Sequence, residues 1–219
     1  MAKVDLRLFA AFGRKIVAVG RNYREHAAEL GNVVPSEPLL FLKPPSSYIE
    51  SGQAIVVPPA CAELHHEVEL GVVIGQSGAH IREGAAMDHV GGYVLALDMT
   101  ARDIQSVAKA KGHPWTVAKG YDTFCPISRL LMKSELPEPQ NTRLWLNVNG
   151  AERQNGSTKD MIFSIPTLVS YISGIMTLER GDVILTGTPA GVGPVKPGQR
   201  ITAGIEDIVH VEFPVEAAK

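Results

Sequence analysis

The stretch Leu64-His65-His66-Glu67-Val68-Glu69-Leu70-Gly71-Val72-Val73-Ile74 decides the fold more than any other part of the chain. Its apolar and polar residues alternate, which predicts a β-strand, because successive strand side chains point to opposite faces. On this prediction one face holds Leu64, His66, Val68, Leu70, Val72 and Ile74, and the other holds His65, Glu67, Glu69 and Gly71. Residues two apart on one face lie roughly 6 to 7 Å apart at Cα. Both glutamates can therefore reach one cation.

A third carboxylate extends this pattern. Asp98 ends the apolar run Tyr93–Leu97, where burial without a partner is costly, and the two neighbouring glutamates repel each other unless a cation or water separates them. Three oxygen ligands favour Mg²⁺, with Mn²⁺ as the usual substitute, over zinc or copper. The alternative for Glu-x-Glu is the solvated face of an amphipathic strand. His65 and His66 are alternative ligands, although His66 is expected to pack inward.

The rest of the chain is also rich in strand-length apolar runs, which 15 prolines and 21 glycines separate. Further predicted strands are Lys15–Val19, Leu39–Leu42, Ala54–Val57, Tyr93–Met99, Arg143–Val148, Val183–Leu185 and Ile208–Val215. Asn149-Gly150 predicts a hairpin turn. Helical spacing occurs at Ser164–Met176, Ala101–Lys111 and Tyr23–Leu30. We expect an α+β chain, predominantly β, with a small mixed lobe at residues 1–52 and a β-rich body at 53–219.

The short helix predicted at Tyr23–Leu30 carries His26 and Glu29 three residues apart on one face. A carboxylate that orients an imidazole and supports its charged form makes a plausible general base. A solvent-exposed surface pair is the alternative. Since so short a helix is marginal alone, it could order over a bound substrate as a lid.

Composition limits the classes of function. The net charge of -2 gives no reason to expect nucleic acid binding. No run approaches the ~20 apolar residues of a membrane span, and no secretory signal is evident, so we expect a soluble intracellular protein. Cys61 and Cys125 are expected to be free thiols. Lys3, Arg7 and Arg14, together with Lys15, weakly suggest a mitochondrial transit peptide. Localisation to mitochondrion or cytosol stays open.

The glycine-rich run Leu185–Pro194 follows a predicted strand but lacks the lysine and the following helix of a phosphate loop. We expect its backbone to approach a small anion, with Thr188 as a donor. A series of plain tight turns is the alternative.

These segments together resemble the fumarylacetoacetate hydrolase superfamily, and within it the small acylpyruvase members, over nearly the whole chain. The motifs that carry the resemblance are Gly20-Arg21-Asn22-Tyr23, Phe41-Leu42-Lys43-Pro44, His65-His66-Glu67-Val68-Glu69-Leu70, Leu97-Asp98-Met99-Thr100-Ala101-Arg102-Asp103, Leu185-Thr186-Gly187-Thr188-Pro189 and Gly191-Val192-Gly193-Pro194. The resemblance implies a mixed β-sandwich roll and a homodimer. It also implies one Mg²⁺ held by Glu67, Glu69 and Asp98.

The resemblance further implies roles for individual residues. His26 and Glu29 would form a catalytic dyad on a lid, and Lys119 would polarise a substrate oxygen. The substrate-binding positions would be Arg21, Arg102, Gln105 and Thr188.

Three reactions through the enolate of pyruvate or oxaloacetate follow from this site: acylpyruvate hydrolysis (acetylpyruvate or fumarylpyruvate), oxaloacetate decarboxylation and oxaloacetate keto–enol tautomerisation. One alternative is an isomerase or hydratase of aromatic-degradation intermediates. Another is a non-catalytic dimer that binds a keto acid.

Overall fold

The computed structural model describes residues 4–24 and 35–218. Its strands are β1 (Ile16–Gly20), β2 (Leu39–Lys43), β3 (Tyr48–Glu50), β4 (Ile55–Val57), β5 (Leu64–His66), β6 (Val68–Ile74), β7 (Val90–Leu97), β8 (Thr100–Ala101), β9 (Cys125–Ile127), β10 (Leu131–Met132), β11 (Arg143–Val148), β12 (Ala151–Ser157), β13 (Val183–Leu185), β14 (Gly193–Val195), β15 (Arg200–Ile205) and β16 (Val209–Ala217). The α-helices of these ranges are α1 (Phe9–Phe12), α2 (Ala86–His89), α3 (Arg102–Lys111), α4 (Thr116–Lys119) and α5 (Ile165–Ile175). Short 3₁₀ helices cover Leu6–Leu8, Pro45–Ser47, Glu83–Ala85 and Thr158–Asp160.

The strands form curled sheets, and most of them lie in two. The larger has the order β2-β1-β13-β6-β7-β9-β3, with β10 pairing to β7, and the second has the order β12-β11-β15-β16-β4. A third, three-stranded sheet has the order β14-β5-β8. The predominantly β, mixed sandwich architecture is confirmed. Residues 1–52, expected to form a mixed lobe, contribute β1, β2 and β3 to the largest sheet.

The core lies on both faces of the largest sheet. One face packs Leu70 and Val72 of β6 against Leu144 of β11, Ile201 of β15 and Leu168 of α5. The opposite face places other side chains of the same sheet against the N-terminal segment, including Phe9 of α1. Strand β6 is buried along its whole length, because its two faces meet different apolar layers. A buried central strand gives a rigid support for the residues at its ends.

Local sequence signals explain several element boundaries. Ser164 caps α5, since its hydroxyl accepts a hydrogen bond from the backbone N–H of Thr167. Asn149 and Gly150 join β11 to β12 with φ values of 50° and 79°, as expected for the predicted hairpin turn. Both cysteines are free, as predicted.

The prediction of one continuous strand from Leu64 to Ile74 is wrong. The strand breaks at Glu67, with β5 in the three-stranded sheet and β6 in the largest sheet. The backbone N–H of Val68 donates to Oε1 of Gln154 at 3.0 Å, so a side chain from β12 takes the place of a ladder partner. Glu67 therefore lies between the two sheets, yet its carboxylate still converges with that of Glu69.

Most of the helix predicted at Tyr23–Leu30, with its His26 and Glu29, lies outside the described residues. Within the ranges that the structure covers, no helix is long and apolar enough to cross a membrane.

Candidate active site

Three carboxylates meet where β6 begins and β7 ends. The antiparallel register pairs Val68 with Leu97, and the backbone N–H of Asp98 donates to the carbonyl of Glu67 at 2.8 Å. Residues Glu67, Glu69 and Asp98 are 6%, 2% and 1% exposed. One carboxylate oxygen from each lies within 4.8 Å of those from the other two. The predicted convergence of the three carboxylates is therefore present in the fold.

Basic side chains surround this triad. Nζ of Lys119, at the end of α4, donates to Oε2 of Glu67 at 2.9 Å and to Oδ2 of Asp98 at 2.5 Å. Nζ of Lys43, at the end of β2, lies 2.8 Å from Oδ1 of Asp98. The guanidinium of Arg102, the first residue of α3, pairs with Oε1 of Glu67. Three buried or partly buried cations thus approach two of the three acids from three different elements.

The third acid, Glu69, has a different environment. Burial raises its pKa well above the ordinary value, and the charges of Asp98 and Glu67 raise it further. The backbone N–H of Gly187 donates to its Oε2 at 2.7 Å, which favours the charged form. Additional positive charge beside Glu69 would favour the state in which all three acids are ionised. The all-oxygen donor set and the unfavourable ionisation of Glu69 fit a hard divalent cation such as Mg²⁺ or Mn²⁺.

Lys119 keeps its proton in this environment. Burial alone lowers the pKa of an ammonium group, but Asp98 and Glu67 outweigh it and raise the pKa of Lys119 above its ordinary value. The side chain therefore acts at neutral pH as a cation and hydrogen-bond donor, and it is unsuited to act as a base.

The loop after β13 closes one side of the site. Because β13 runs antiparallel to β6, residues 186–188 lie alongside the start of β6. Gly187 has φ of +97°, and a Cβ there would lie 2.8 Å from Cβ of Asn22. The hydroxyl of Thr188 donates to the carbonyl of Val68 at 2.8 Å and accepts from Nε2 of Gln154 at 2.7 Å. Its only hydrogen is engaged, so the hydroxyl of Thr188 in this geometry orders the loop and can serve a ligand only as an acceptor.

Helix α3 forms the opposite side. Arg102 and Gln105 are joined by a hydrogen bond of 2.5 Å from Nη1 to Oε1, and Arg102 Nε also approaches Nδ1 of His65 at 3.4 Å. A small cavity beside the triad is lined by residues from both sides of the site and from β1 and β2, namely Val19, Gly20, Arg21, Phe41, Glu67, Glu69, Asp98, Arg102, Gln105, Lys109, Trp115, Lys119 and Thr188.

Most of the predicted site residues line this one cavity. The described part of the chain brings together Arg21, Arg102, Gln105, Lys119, Thr188 and the carboxylate triad. His66 packs inward, as predicted, with Nδ1 bonded to Gln154 at 3.0 Å. His65 pairs instead with Glu63 at 2.8 Å. Neither histidine belongs to the acidic triad.

Sequence reasoning missed three residues of the site: Lys43, Lys109 and Gln154. A lysine at the end of an apolar strand was the available signal for Lys43, and helical spacing from Arg102 was the signal for Lys109. Gln154 lies in a polar strand with no local pattern to mark it. Its side chain forms hydrogen bonds with His66, Val68 and Thr188 simultaneously.

The chain is thus a rolled β-sandwich of the enzyme class, with a buried carboxylate triad that could hold a metal ion beside a cavity lined by cations. The chain belongs to the fumarylacetoacetate hydrolase family, as the sequence motifs indicated: the family model for the fumarylacetoacetate (FAA) hydrolase C-terminal domain matches residues 15–216.

Relatives of known name extend over nearly the whole chain. A mitochondrial oxaloacetate tautomerase FAHD1 from Arabidopsis thaliana is 62% identical over 204 residues, covering 93% of this chain and 92% of the relative. A mitochondrial oxaloacetate decarboxylase from Dictyostelium discoideum is 61% identical over 194 residues, covering 88% and 89%. The structure of fumarylpyruvate hydrolase from Pseudomonas aeruginosa in complex with Mn²⁺ and pyruvate matches with a TM-score of 0.88 and 34% identity, covering 94% of this chain and 90% of that one.

Proposed function

We propose that this enzyme acts on small β-oxo acids with the help of Mg²⁺ or Mn²⁺, catalysing oxaloacetate tautomerisation and decarboxylation and the hydrolysis of acylpyruvates. The observation that carries the proposal is the buried triad of Glu67, Glu69 and Asp98, with three acid oxygens within 4.8 Å of one another, next to a cavity lined by cations. A keto acid can place its carboxylate and 2-oxo oxygens toward such a centre.

When bound, the cation would supply Lewis-acid polarisation of the α-keto acid end of the substrate. Glu67, Glu69 and Asp98 would hold it. Arg102 and Lys119 would stabilise the remaining negative charge of the substrate. Arg102 is held by Glu67 and Gln105, so its guanidinium is oriented for a substrate carboxylate. Lys119 remains an ammonium group and stabilises negative charge that develops on the substrate oxygen.

The three reactions differ in the bond that changes. Tautomerisation moves a proton between C3 and the 2-oxo oxygen of oxaloacetate. Decarboxylation breaks the C3–C4 bond and releases CO₂. Hydrolysis of an acylpyruvate adds water to the distal carbonyl and breaks the adjacent C–C bond, which releases a carboxylic acid and pyruvate. We assign proton transfer and water activation to the dyad His26 and Glu29, which lies outside the described residues.

The relatives support this choice of substrates. Oxaloacetate is the substrate in the names of two relatives above 60% identity, and fumarylpyruvate is that of a structural neighbour at 34% identity. Those two relatives are also named mitochondrial, which supports a mitochondrial location for this chain.

We further propose that the chain acts as a homodimer. Leu42, Val107 and Val117 are 50%, 54% and 63% exposed, and they line two neighbouring grooves that share His113 and Pro114. An apolar surface of this kind is typical of a protein interface. Light scattering of the wild type and of Val117→Lys tests the proposal, which predicts a dimer that the lysine weakens.

The test of the enzymatic proposal is turnover by the purified protein after chelator treatment and after return of Mg²⁺ or Mn²⁺. Enol–keto conversion of oxaloacetate, its decarboxylation and acetylpyruvate hydrolysis are followed separately by ultraviolet absorbance and by coupled detection of pyruvate. We expect metal-dependent turnover of oxaloacetate. Asp98→Asn should reduce it on the order of a hundredfold or more, since Lewis-acid stabilisation is worth several kcal/mol.

The matched control is Asp88→Asn, which removes an exposed carboxylate of α2 and should retain full activity. Failure to turn over any of these substrates with either metal would overturn the proposal. Turnover confined to dienoic acids from aromatic degradation would support an isomerase instead, and tight keto acid binding without any turnover would support a sensor.

A further inference from the structure

Helix α3 presents three polar side chains to the active-site cavity. Arg102, Gln105 and Lys109 are spaced i, i+3 and i+7, which places them on one face of a helix, and all three line the cavity. Arg102 and Gln105 are bonded to each other close to the acidic triad. Lys109 lies two turns along the same face, farther from the acids.

The surroundings of Lys109 are basic and aromatic. Its ammonium group lies over the ring of Trp115, 5.1 Å from the ring centre. Lys109 is exposed to solvent on one side, and its partial burial together with the charges of Arg102 and Arg21 lowers its pKa to about 8. Arg21, which also lines the cavity, has a buried Nε without a hydrogen-bond partner among the described residues. Two cations therefore share one end of the cavity.

Neither of these cations has an acid of its own in the parts of the chain that the structure covers. The carboxylate that acts on Lys109 is Glu67, which is already paired with Arg102 and Lys119. Like charges held together without a counter-ion are unfavourable until an anion arrives. The part of the cavity lined by Lys109 and Arg21 is thus electrostatically complementary to a negatively charged group of the substrate.

The acidic triad and the two cations line the same cavity, which suits a substrate that carries two carboxylates. Since the acidic triad and Arg102 are proposed to bind the α-keto acid group, the second carboxylate would extend toward Lys109 and Trp115. We propose that Lys109 is a specificity-determining residue that binds the distal carboxylate of a dicarboxylic β-oxo acid and selects such substrates over monocarboxylic ones. This inference rests on the proposed function and narrows its substrate class.

The test compares the Mg²⁺-loaded wild type with Lys109→Met, which keeps the aliphatic length and removes the charge. For each protein we measure kcat/KM with oxaloacetate, a dicarboxylate, and with acetylpyruvate, a monocarboxylate. The ratio of the two should fall about ten- to hundredfold in Lys109→Met, the usual effect of losing one charged hydrogen bond. The loss should appear mainly in KM for oxaloacetate.

Two further variants complete the design. Lys109→Arg should restore most of the selectivity, because it retains the charge. Lys196→Met removes an exposed lysine between β14 and β15 and should leave the ratio as in the wild type. A ratio in Lys109→Met within about twofold of the wild-type ratio would overturn the assignment.

A binding measurement separates this inference from the proposed function. Malate and 2-hydroxybutanoate differ chiefly in the distal carboxylate, and neither can be decarboxylated or tautomerised as oxaloacetate can. Calorimetry should show that the wild type prefers malate and that Lys109→Met loses this preference; an unchanged preference would refute the role of Lys109. If the wild type turns over neither oxaloacetate nor acetylpyruvate, the proposed function fails, and the calorimetric comparison still decides whether Lys109 binds the second carboxylate.

Discussion

Replacing Lys43 with methionine should destabilise the metal-free protein severely. Lys43 is 1% exposed, and its ammonium group lies 2.8 Å from Oδ1 of Asp98. It also donates to the backbone carbonyls of Lys119 at 2.6 Å and Met99 at 3.2 Å. Methionine fills a similar volume but leaves these acceptors without their donor.

The expected loss is large because one partner of a buried ion pair is removed. Such changes lower the free energy of unfolding by about 3 to 5 kcal/mol. The backbone carbonyls of Lys119 and Met99 also lose their donor, so we expect a loss toward the upper end of this range. Urea unfolding in the presence of chelator measures it directly. With a slope of about 3 kcal/mol per molar, the unfolding midpoint should fall by roughly 1 to 1.7 M.

The control is Lys196→Met, which removes an exposed lysine and should change the midpoint little. Asp98→Asn combined with Lys43→Met tests the cause, since it removes the abandoned charge together with its partner. We expect the double variant to be more stable than Lys43→Met alone. A loss below about 1 kcal/mol in the single variant, or no recovery in the double variant, would refute the reasoning.

Three other predictions concern the acidic triad and its support. Burial raises the pKa of Glu69 above its ordinary 4.5, so the chelated protein should lose stability progressively as the pH rises above that value, because the unfolded chain releases a proton that the folded state retains. Glu69→Gln should remove this slope in urea titrations from pH 5 to 8, and a slope that persists would contradict the assignment. Gly187→Ala should lower the free energy of unfolding by about 1 to 3 kcal/mol, because the φ of Gly187 is +97° and a Cβ there would meet Asn22. The Tm should fall by about 2 to 4 °C per kcal/mol, whereas the control Gly84→Ala, where a Cβ meets open space, should leave the Tm unchanged. Burial lowers the pKa of His66 to about 4, so NMR should show a neutral imidazole well below pH 6. The stability that this histidine contributes above pH 6.5 should fall by roughly 3 kcal/mol as the pH drops toward 4. An imidazole that titrates near 6.5 would refute this prediction.

The carboxylate triad could be predicted because the residues that mark it are close together in the sequence or stand at the end of an apolar run. Glu67 and Glu69 are two residues apart in an apolar strand, and Asp98 ends another apolar run, so each acid is out of place for its element. Antiparallel pairing of β6 with β7 then brings Asp98 to Glu67. Acidic residues that contradict the character of their own strand are visible in the amino-acid sequence alone.

The supporting residues were missed because their partners are distant in sequence. Lys43 lies 55 residues from Asp98 and Gln154 lies 86 residues from Val68, and no local pattern relates them. The break at Glu67 was missed for the same reason, since it depends on a side chain from β12. Strands such as β3, β9 and β14, three residues each, are too short for alternation to be recognised, so their pairing is decided by tertiary packing.

The acids of the site and the residues that helix α3 contributes to the cavity belong to different kinds of secondary structure. The acids belong to the ends of buried strands, where a substitution disturbs the core, whereas Lys109 belongs to α3 and is exposed, as are its neighbours at 106, 107, 110 and 111. Selection can therefore alter Lys109 with little penalty to folding while the acids stay unchanged. Substitutions on one face of α3 can therefore change which keto acid the enzyme prefers while the acidic triad is kept.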